Sequence, residues 1–309
     1  MNKLFMLISA LLLLGVIIIY SFNNKEKYIL SDEFEYYTTR LKNKITSKYT
    51  IPYPIYFINM DKNADRLENM MNQKEYVNAE MIRVRAFNGN MIKNKEQDTV
   101  DDISFVNHYT DMNLPEIGCC LSHLIAIETA WRNGDEIAMI VEDDLSFLSV
   151  GVIPPLEDIV SNSPVDWNII QLLSVNLPDD ESGEIKYIKR EYPSSFYYST
   201  CCYIINREGM EKILNIVKPD NAYHIKPIRK ATPKENSHRS YIDIYKGKSS
   251  FPPYGASDYY IYDIVNTYTT SISLFVLNSG LDSTIHMDHD YDNMNKNLKM
   301  TKRLLDRYG

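Results

Sequence analysis

Cysteine, glycine and clustered positive charge are all scarce in this chain, and each scarcity removes a class of function. Four cysteines stand among 309 residues. They fall as two adjacent pairs, Cys119 with Cys120 and Cys201 with Cys202, which is neither a zinc-finger spacing nor the disulfide framework of a small secreted domain. The expectation for them is buried apolar thiols. The 11 glycines include no Gly-x-Gly-x-x-Gly and no Walker-type loop, so the dinucleotide fingerprint and the P-loop are both missing. A formal charge of −8 without a basic stripe argues against general nucleic-acid binding, which draws its affinity from clustered Lys and Arg. Asparagine is abundant, yet no Asn-x-Ser/Thr acceptor occurs; this argues against a domain held in a compartment that glycosylates Asn. An anionic ligand would need a locally placed cation or a metal.

What is present begins with a charge-free run from Leu4 to Tyr20. As a helix it would reach about 25 Å, enough to cross a thin bilayer. Residues 1–22 are therefore expected to be a transmembrane anchor of a single-pass membrane protein. A cleaved signal peptide, giving a secreted or luminal protein, is the alternative; the run is long for a signal core and lacks a small-x-small cleavage site. Lys3 on one side and Lys25 and Lys27 on the other barely determine its orientation. Residues 23–51 read as a polar, tyrosine-rich stalk, 52–287 as the folded domain, and 288–309 as a polar tail.

From Pro52 onward, short apolar runs alternate with helical periods. Pro54 to Asn59 predicts a buried strand, after which Asp61 would cap a helix reaching about Glu75. Met81 to Phe87 alternates like a half-exposed strand. Pro115 to Trp131 predicts a helix opened by proline and closed by Asn133 and Gly134. Strands follow at Ile137 to Val141, Trp167 to Leu173 and Tyr197 to Asn206, with helices at Pro155 to Val160 and after Asn206. A helix at Ser257 to Val265 and a last strand at Ser271 to Leu277 complete the series. The alternation predicts an α/β fold with helices on both faces of its sheet.

Ile137 to Phe147 reads IAMIVEDDLSF, so three acids follow a strand directly. In open α/β sheets ligands bind outside the carboxyl ends of the strands. Alternate residues of an extended segment share a face, which puts Glu142 with Asp144 and turns Asp143 away. Two such carboxylates suit a hard divalent cation, with substrate phosphates and water completing its shell. A solvated turn whose acids cap the next helix is the competing reading, and the tripeptide alone favours it.

The ordered series YFINMDKNADR (Tyr56 to Arg66), EIGCCLSH (Glu116 to His123), IVEDD (Ile140 to Asp144), TCCYIINREGMEKIL (Thr200 to Leu214) and ASDYYIYDI (Ala256 to Ile264) resembles glycosyltransferase family 25. That family includes bacterial lipooligosaccharide galactosyltransferases and the collagen galactosyltransferases. The resemblance covers about Pro54 to Ile285. It implies a GT-A-like nucleotide-sugar-binding fold with a mixed, mainly parallel sheet, a UDP-sugar donor, and an acidic motif in which Glu142 and Asp144 ligate Mn²⁺ or Mg²⁺. Carried over, Asn59, Asp61 and Arg66 lie at the first strand end near the nucleotide; Asp143 is left without an assigned job, its candidate role being to face the donor sugar or ribose. For Arg66 a helix-surface ion pair is the competing role, and for Ser122 and His123 a core or capping role. The resemblance further implies inverting transfer, which needs a base on the acceptor hydroxyl; Asp258 is the candidate, with a third metal ligand as its other role. Met60, Ser199 with Thr200, and Ala256 with Ser257 before Asp258 depart from the family pattern.

The resulting expectation is a metal-dependent transferase moving galactose or glucose from a UDP-sugar to a hydroxyl of a glycan, a lipid-linked saccharide or a protein. The alternatives are a catalytically inactive, membrane-anchored binding or scaffold protein that keeps the fold, and a metal-dependent phosphohydrolase, for which a second His and Asp cluster is missing. Asp288, Asp290 and Asp292 imitate a calcium loop, but Asn293 takes the glycine position and Lys299 the bidentate glutamate. His286 and His289 read as structural.

Overall fold

The computed structural model describes residues 32–108, 112–174, 177, 184–190, 199–225, 257–278 and 290–309. In chain order its elements are a helix over residues 32–42 (α1), β1 (Tyr49–Thr50), β2 (Ile55–Asn59), α2 (Ala64–Asn72), β3 (Val77–Asn78), β4 (Met81–Arg85), β5 (Gln97–Val100), β6 (Ile103–Asn107), α3 (Leu114–Asn133), β7 (Ile137–Glu142), β8 (Leu145–Ser146), α4 (Leu156–Ser161), β9 (Ile169–Gln171), β10 (Tyr187–Lys189), β11 (Cys202–Asn206), α5 (Arg207–Val217), β12 (Ala222–Ile225), α6 (Ser257–Ile264), β13 (Thr267–Thr270), β14 (Val276–Leu277) and α7 (Asp290–Tyr308).

The main sheet has the order β10-β13-β9-β11-β7-β2-β4. β2 pairs in parallel with β4 and β7, and β13 with β9, while β11 and β10 run against their neighbours. Five of its strands thus point one way, as expected for a mixed α/β sheet. β2, β7 and β11 are apolar along nearly their whole length because both faces of the sheet are covered. The pleat divides them between two cores. Ile55, Phe57, Met139, Val141, Cys202 and Ile204 face one, with Met70 of α2, Leu156 of α4 and Leu304 of α7. Tyr56, Ile58, Ala138, Ile140, Tyr203 and Ile205 face the other, with Leu121 of α3, Met210 of α5 and Ile261 of α6. A smaller sheet, β12-β6-β5, and two two-stranded pairings lie beside it.

α3 is the helix the sequence marks most clearly. Asn113 accepts from the Glu116 N–H while Glu116 reaches back to the Asn113 N–H, Pro115 stands in the first turn, and Gly134 ends the helix in the left-handed conformation at φ 84°; this is a capping box followed by a glycine stop. Two glycines lock α3 to the end of β4. A Cβ on Gly118 would sit 2.9 Å from the Phe87 carbonyl oxygen and 2.8 Å from the Gly89 nitrogen, and one on Gly89 would overlap the Leu114 carbonyl. Only hydrogen at both positions lets these backbones meet.

Several expectations are corrected. Asp61 does not cap α2; Asn63 stands at the cap position, because the Asp61 carboxylate is drawn to two arginines of β4. The last strand is not a continuous Ser271 to Leu277: β13 precedes it and β14 is only its end. Between them the Ser271 and Ser273 hydroxyls bond the backbone of Lys186 and Ser174, which bends the chain out of the ladder. Residues 290–308 are not a solvated tail but a helix that buries Met300, Thr301, Leu304 and Leu305. Leu41, expected in a stalk, is fully buried in the same core. Among the described residues no helix is long and apolar enough to cross a membrane. The Leu4 to Tyr20 run, His286, Asp288 and His289 lie outside the described residues, as do the side chains of Asp258, Asp290 and Asp292.

Candidate functional site

β2, β4 and β7 run in parallel and end on the same side of the sheet, at Asn59, Arg85 and Glu142. The loop after β7 then carries Asp143 and Asp144 across the end of β2. There the Asn59 amide donates to Asp143 Oδ2 at 2.7 Å and Arg66 Nη1 to Asp143 Oδ1 at 2.6 Å. Both members of that ion pair are buried, and Arg66 Nη1 is also 3.8 Å from Asp144 Oδ2. Arg66 is therefore an interior cation, not the helix-surface ion pair that spacing offered. Burial works to lower its guanidinium, but the charges of Asp143 and Asp144 hold it above its ordinary value.

The three acids are held by different partners. Glu142 Oε1 accepts from the Thr200 hydroxyl at 2.9 Å and lies 3.3 Å from His123 Nε2. Asp144 Oδ1 accepts from the Cys201 thiol at 3.3 Å, and its carbonyl accepts from the Asn278 N–H. The loop itself is pinned from beneath by Gln73, which donates to the Leu145 carbonyl at 2.8 Å and accepts from the Phe147 N–H at 2.6 Å.

Electrostatics separates their roles. Burial lifts the Asp143 carboxyl, with Arg66 and Asn59 pulling it back. Burial would lift Glu142 also, but the hydrogen bond and charge of His123 and the bond from Thr200 hold it below its ordinary value. Asp144 is pushed up to about 6, by burial first and by the charge of Glu142 second, against the pull of Arg66. Asp143 and Asp144 thus face too little positive charge to offset their burial. Glu142 and Asp144 keep 27% and 22% of their side-chain surface exposed and offer oxygen donors only, the set a hard divalent ion takes.

Asp61 is exposed and ion-paired with Arg85 at 2.6 Å and Arg83 at 2.8 Å, whose hydrogen bonds hold its carboxyl below the ordinary value. Arg83 Nε donates in turn to Asn59 Oδ1 at 3.0 Å, so Asp61 joins the cluster through Arg83 and Asn59. A cleft lined by Lys62, Asn63, Arg66, Cys119, His123 and Glu142 opens onto the cluster. A second hollow of about 430 Å³, lined by Lys62, Arg83, Arg85 and Asp101, shares Met60, Ala86 and Phe87 with it. Asp258 follows Ser257, whose hydroxyl lies 3.2 Å from that of Thr200; the start of α6 therefore reaches the Glu142 network.

Sequence reasoning missed Cys119, Thr200, Cys201, Tyr203 and Gln73 as members of this region. Cys120 and Cys202 are core thiols as expected, whereas Cys201 hydrogen-bonds an acid and Cys119 lines the cleft. The available signal was the i, i+4 spacing of Cys119 and His123 on a helix. Ser122 joins α3 to the end of β4, accepting from the Phe87 N–H and donating to the Gly118 carbonyl.

Fold and site together are those of a mixed α/β protein with acids gathered at parallel strand ends. A family model described as "Glycosyltransferase family 25 (LPS biosynthesis protein)" matches residues 53–226. That is more than half of the chain, and the chain belongs to this family. A "Glycosyltransferase 25 family member" of Aedes aegypti is 22% identical over 275 residues, covering 80% of this chain and 43% of that protein. A second, of Anopheles gambiae, is 24% identical over 172 residues, covering 52% of this chain and 28% of its own length. The chain spans less than half the length of either relative.

Proposed function

We propose that this protein is a metal-dependent glycosyltransferase that moves a hexose, galactose or glucose, from a UDP-sugar to an acceptor hydroxyl with inversion. The observation that carries the reading is the Glu142, Asp143 and Asp144 cluster at the ends of β2 and β7, in a chain of glycosyltransferase family 25. Glu142 and Asp144 would hold Mn²⁺ or Mg²⁺, which when bound neutralises the charge of the departing diphosphate. Arg66 pairs with Asp143 against the upward push of burial, and together with Asn59 it fixes the loop that presents the neighbouring acids. Asn59, Asp61 and Asp143 define the side on which the nucleotide lies. Asp258, next in sequence to Ser257, is the residue to which we assign removal of the acceptor proton. The acceptor is a glycan, a lipid-linked saccharide or a protein hydroxyl, and the run Leu4 to Tyr20 would anchor the enzyme in a membrane.

Asp144→Asn is expected to abolish transfer, by at least a hundredfold, with an unchanged circular dichroism spectrum. Full activity in that variant would overturn the assignment. A screen of nucleotide sugars, read as UDP release with and without Mn²⁺, separates the transferase from a silent scaffold, which releases nothing, and from a phosphohydrolase, which releases inorganic phosphate.

A further inference from the structure

Among the described residues one group of three metal-binding side chains converges, and the proposed sugar chemistry does not use it as such. The ligand atoms of Cys119, His123 and Glu142 all lie within 4.8 Å of one another. His123 Nε2 and Glu142 Oε1 are 3.3 Å apart, about the separation that two ligands keep on one tetrahedral ion with bonds of ~2.0–2.1 Å. Cys119 and His123 are four residues apart on α3, so one helix face presents both, and β7 brings Glu142 to meet them. All three line the cleft, from which a water could complete a fourth position.

The surroundings supply what a metal centre needs beyond its ligands. His123 Nδ1 lies 3.2 Å from the Tyr203 hydroxyl; a proton on Nδ1 donated there leaves the Nε2 lone pair for the ion. The Thr200 hydroxyl donates to Glu142, and Ser257 Oγ touches both Thr200 Oγ1 at 3.2 Å and Cys119 Sγ at 3.3 Å. Two hydroxyls thus tie the thiol to the carboxylate. Gly118, beside Cys119, is pressed against the backbone of Phe87 and Gly89, so this turn of α3 is fixed in place. A sulfur, nitrogen and oxygen set with one open position suits zinc or cobalt and not magnesium.

We propose that Cys119, His123 and Glu142 form a binding site for one thiophilic divalent ion of the zinc and cobalt class. It is distinct from the oxygen-only position at Glu142 and Asp144, and through the shared Glu142 its occupation competes with a hard ion there. The site goes beyond the proposed sugar transfer, and its test uses no sugar.

Co²⁺ titrated into the full chain is expected to give a thiolate-to-cobalt charge-transfer band saturating at one equivalent and displaced by Zn²⁺. The band should vanish in Cys119→Ser and His123→Gln and persist in Asp144→Asn. In the unmodified protein, Zn²⁺ should slow alkylation of Cys119 at least tenfold, as located by peptide mass spectrometry; this arm needs no variant to fold. Absence of the band at millimolar Co²⁺, its survival in folded Cys119→Ser, or unslowed alkylation of Cys119 would each overturn the site. None of these outcomes depends on whether the protein transfers a sugar.

Discussion

Asp144 is the residue at which stability and chemistry oppose each other. Its carboxyl is pushed from 3.8 up to about 6 in the metal-free protein, so the folded state binds this proton more readily than the unfolded chain does. The ionised form therefore costs stability above about pH 6, and the cost disappears below about pH 4. Asp144→Asn removes it, and its thermal stability in EDTA should exceed wild type at pH 7.5 by on the order of 2 kcal/mol. The gain should fade as pH falls from 6 to 4; calorimetry across that range checks the sign. Arg66 gives the opposite result. Arg66→Met leaves Asp143 buried without its cation, which should cost about 3–5 kcal/mol in urea unfolding. Combining it with Asp143→Leu should recover at least half of that loss.

The elements show why some features can be read from the chain and others cannot. α3 was legible because its signals are local: a capping Asn, a proline in the first turn and a terminal glycine. β2 and β7 were legible as apolar runs of strand length between turn residues. The role of Asp61 was not, because its partners Arg83 and Arg85 sit more than twenty residues away on a strand whose pairing no local pattern reveals. β13 reads TYTT, residue types that favour strands, yet the last strand was expected only from Ser271; β13 is wholly buried, and its threonine hydroxyls are satisfied by Gln171 and by the Tyr262 and Ile272 carbonyls. The acids after β7 were legible as a group, but their division of labour follows from Thr200, Cys201, Arg66 and His123, which come from other elements. Gly118 within the EIGC motif gained a cause only from the packing of α3 on β4. Gly118→Ala should cost about 1–3 kcal/mol by overpacking, and it should reduce transfer more than it reduces stability, because the shift moves His123 relative to Glu142. Paired measurements of melting temperature and UDP release would reveal that inequality.

At the scale of the molecule, one core joins the beginning and the end of the described chain. Leu41, Met300, Leu304 and Leu305 share it with β2, β7 and β11. Removing residues 290–309 deletes three large apolar side chains from this core, Met300, Leu304 and Leu305, whose burial is worth about 1.5–3 kcal/mol each, a loss comparable with the whole stability of a typical domain. The truncated protein should lose its cooperative thermal transition, which scanning calorimetry would detect. The strand order has a further consequence, in time. β13 lies between β9 and β10 in the sheet but follows β9 by about a hundred residues. At ~5–20 residues per second of synthesis, β9 and β10 wait roughly 5–20 s for the strand that joins them. Once β11 has paired with β9, the far edge of β9 stays open until β13 arrives, an unpaired strand edge of the kind that exposes a folding chain to aggregation.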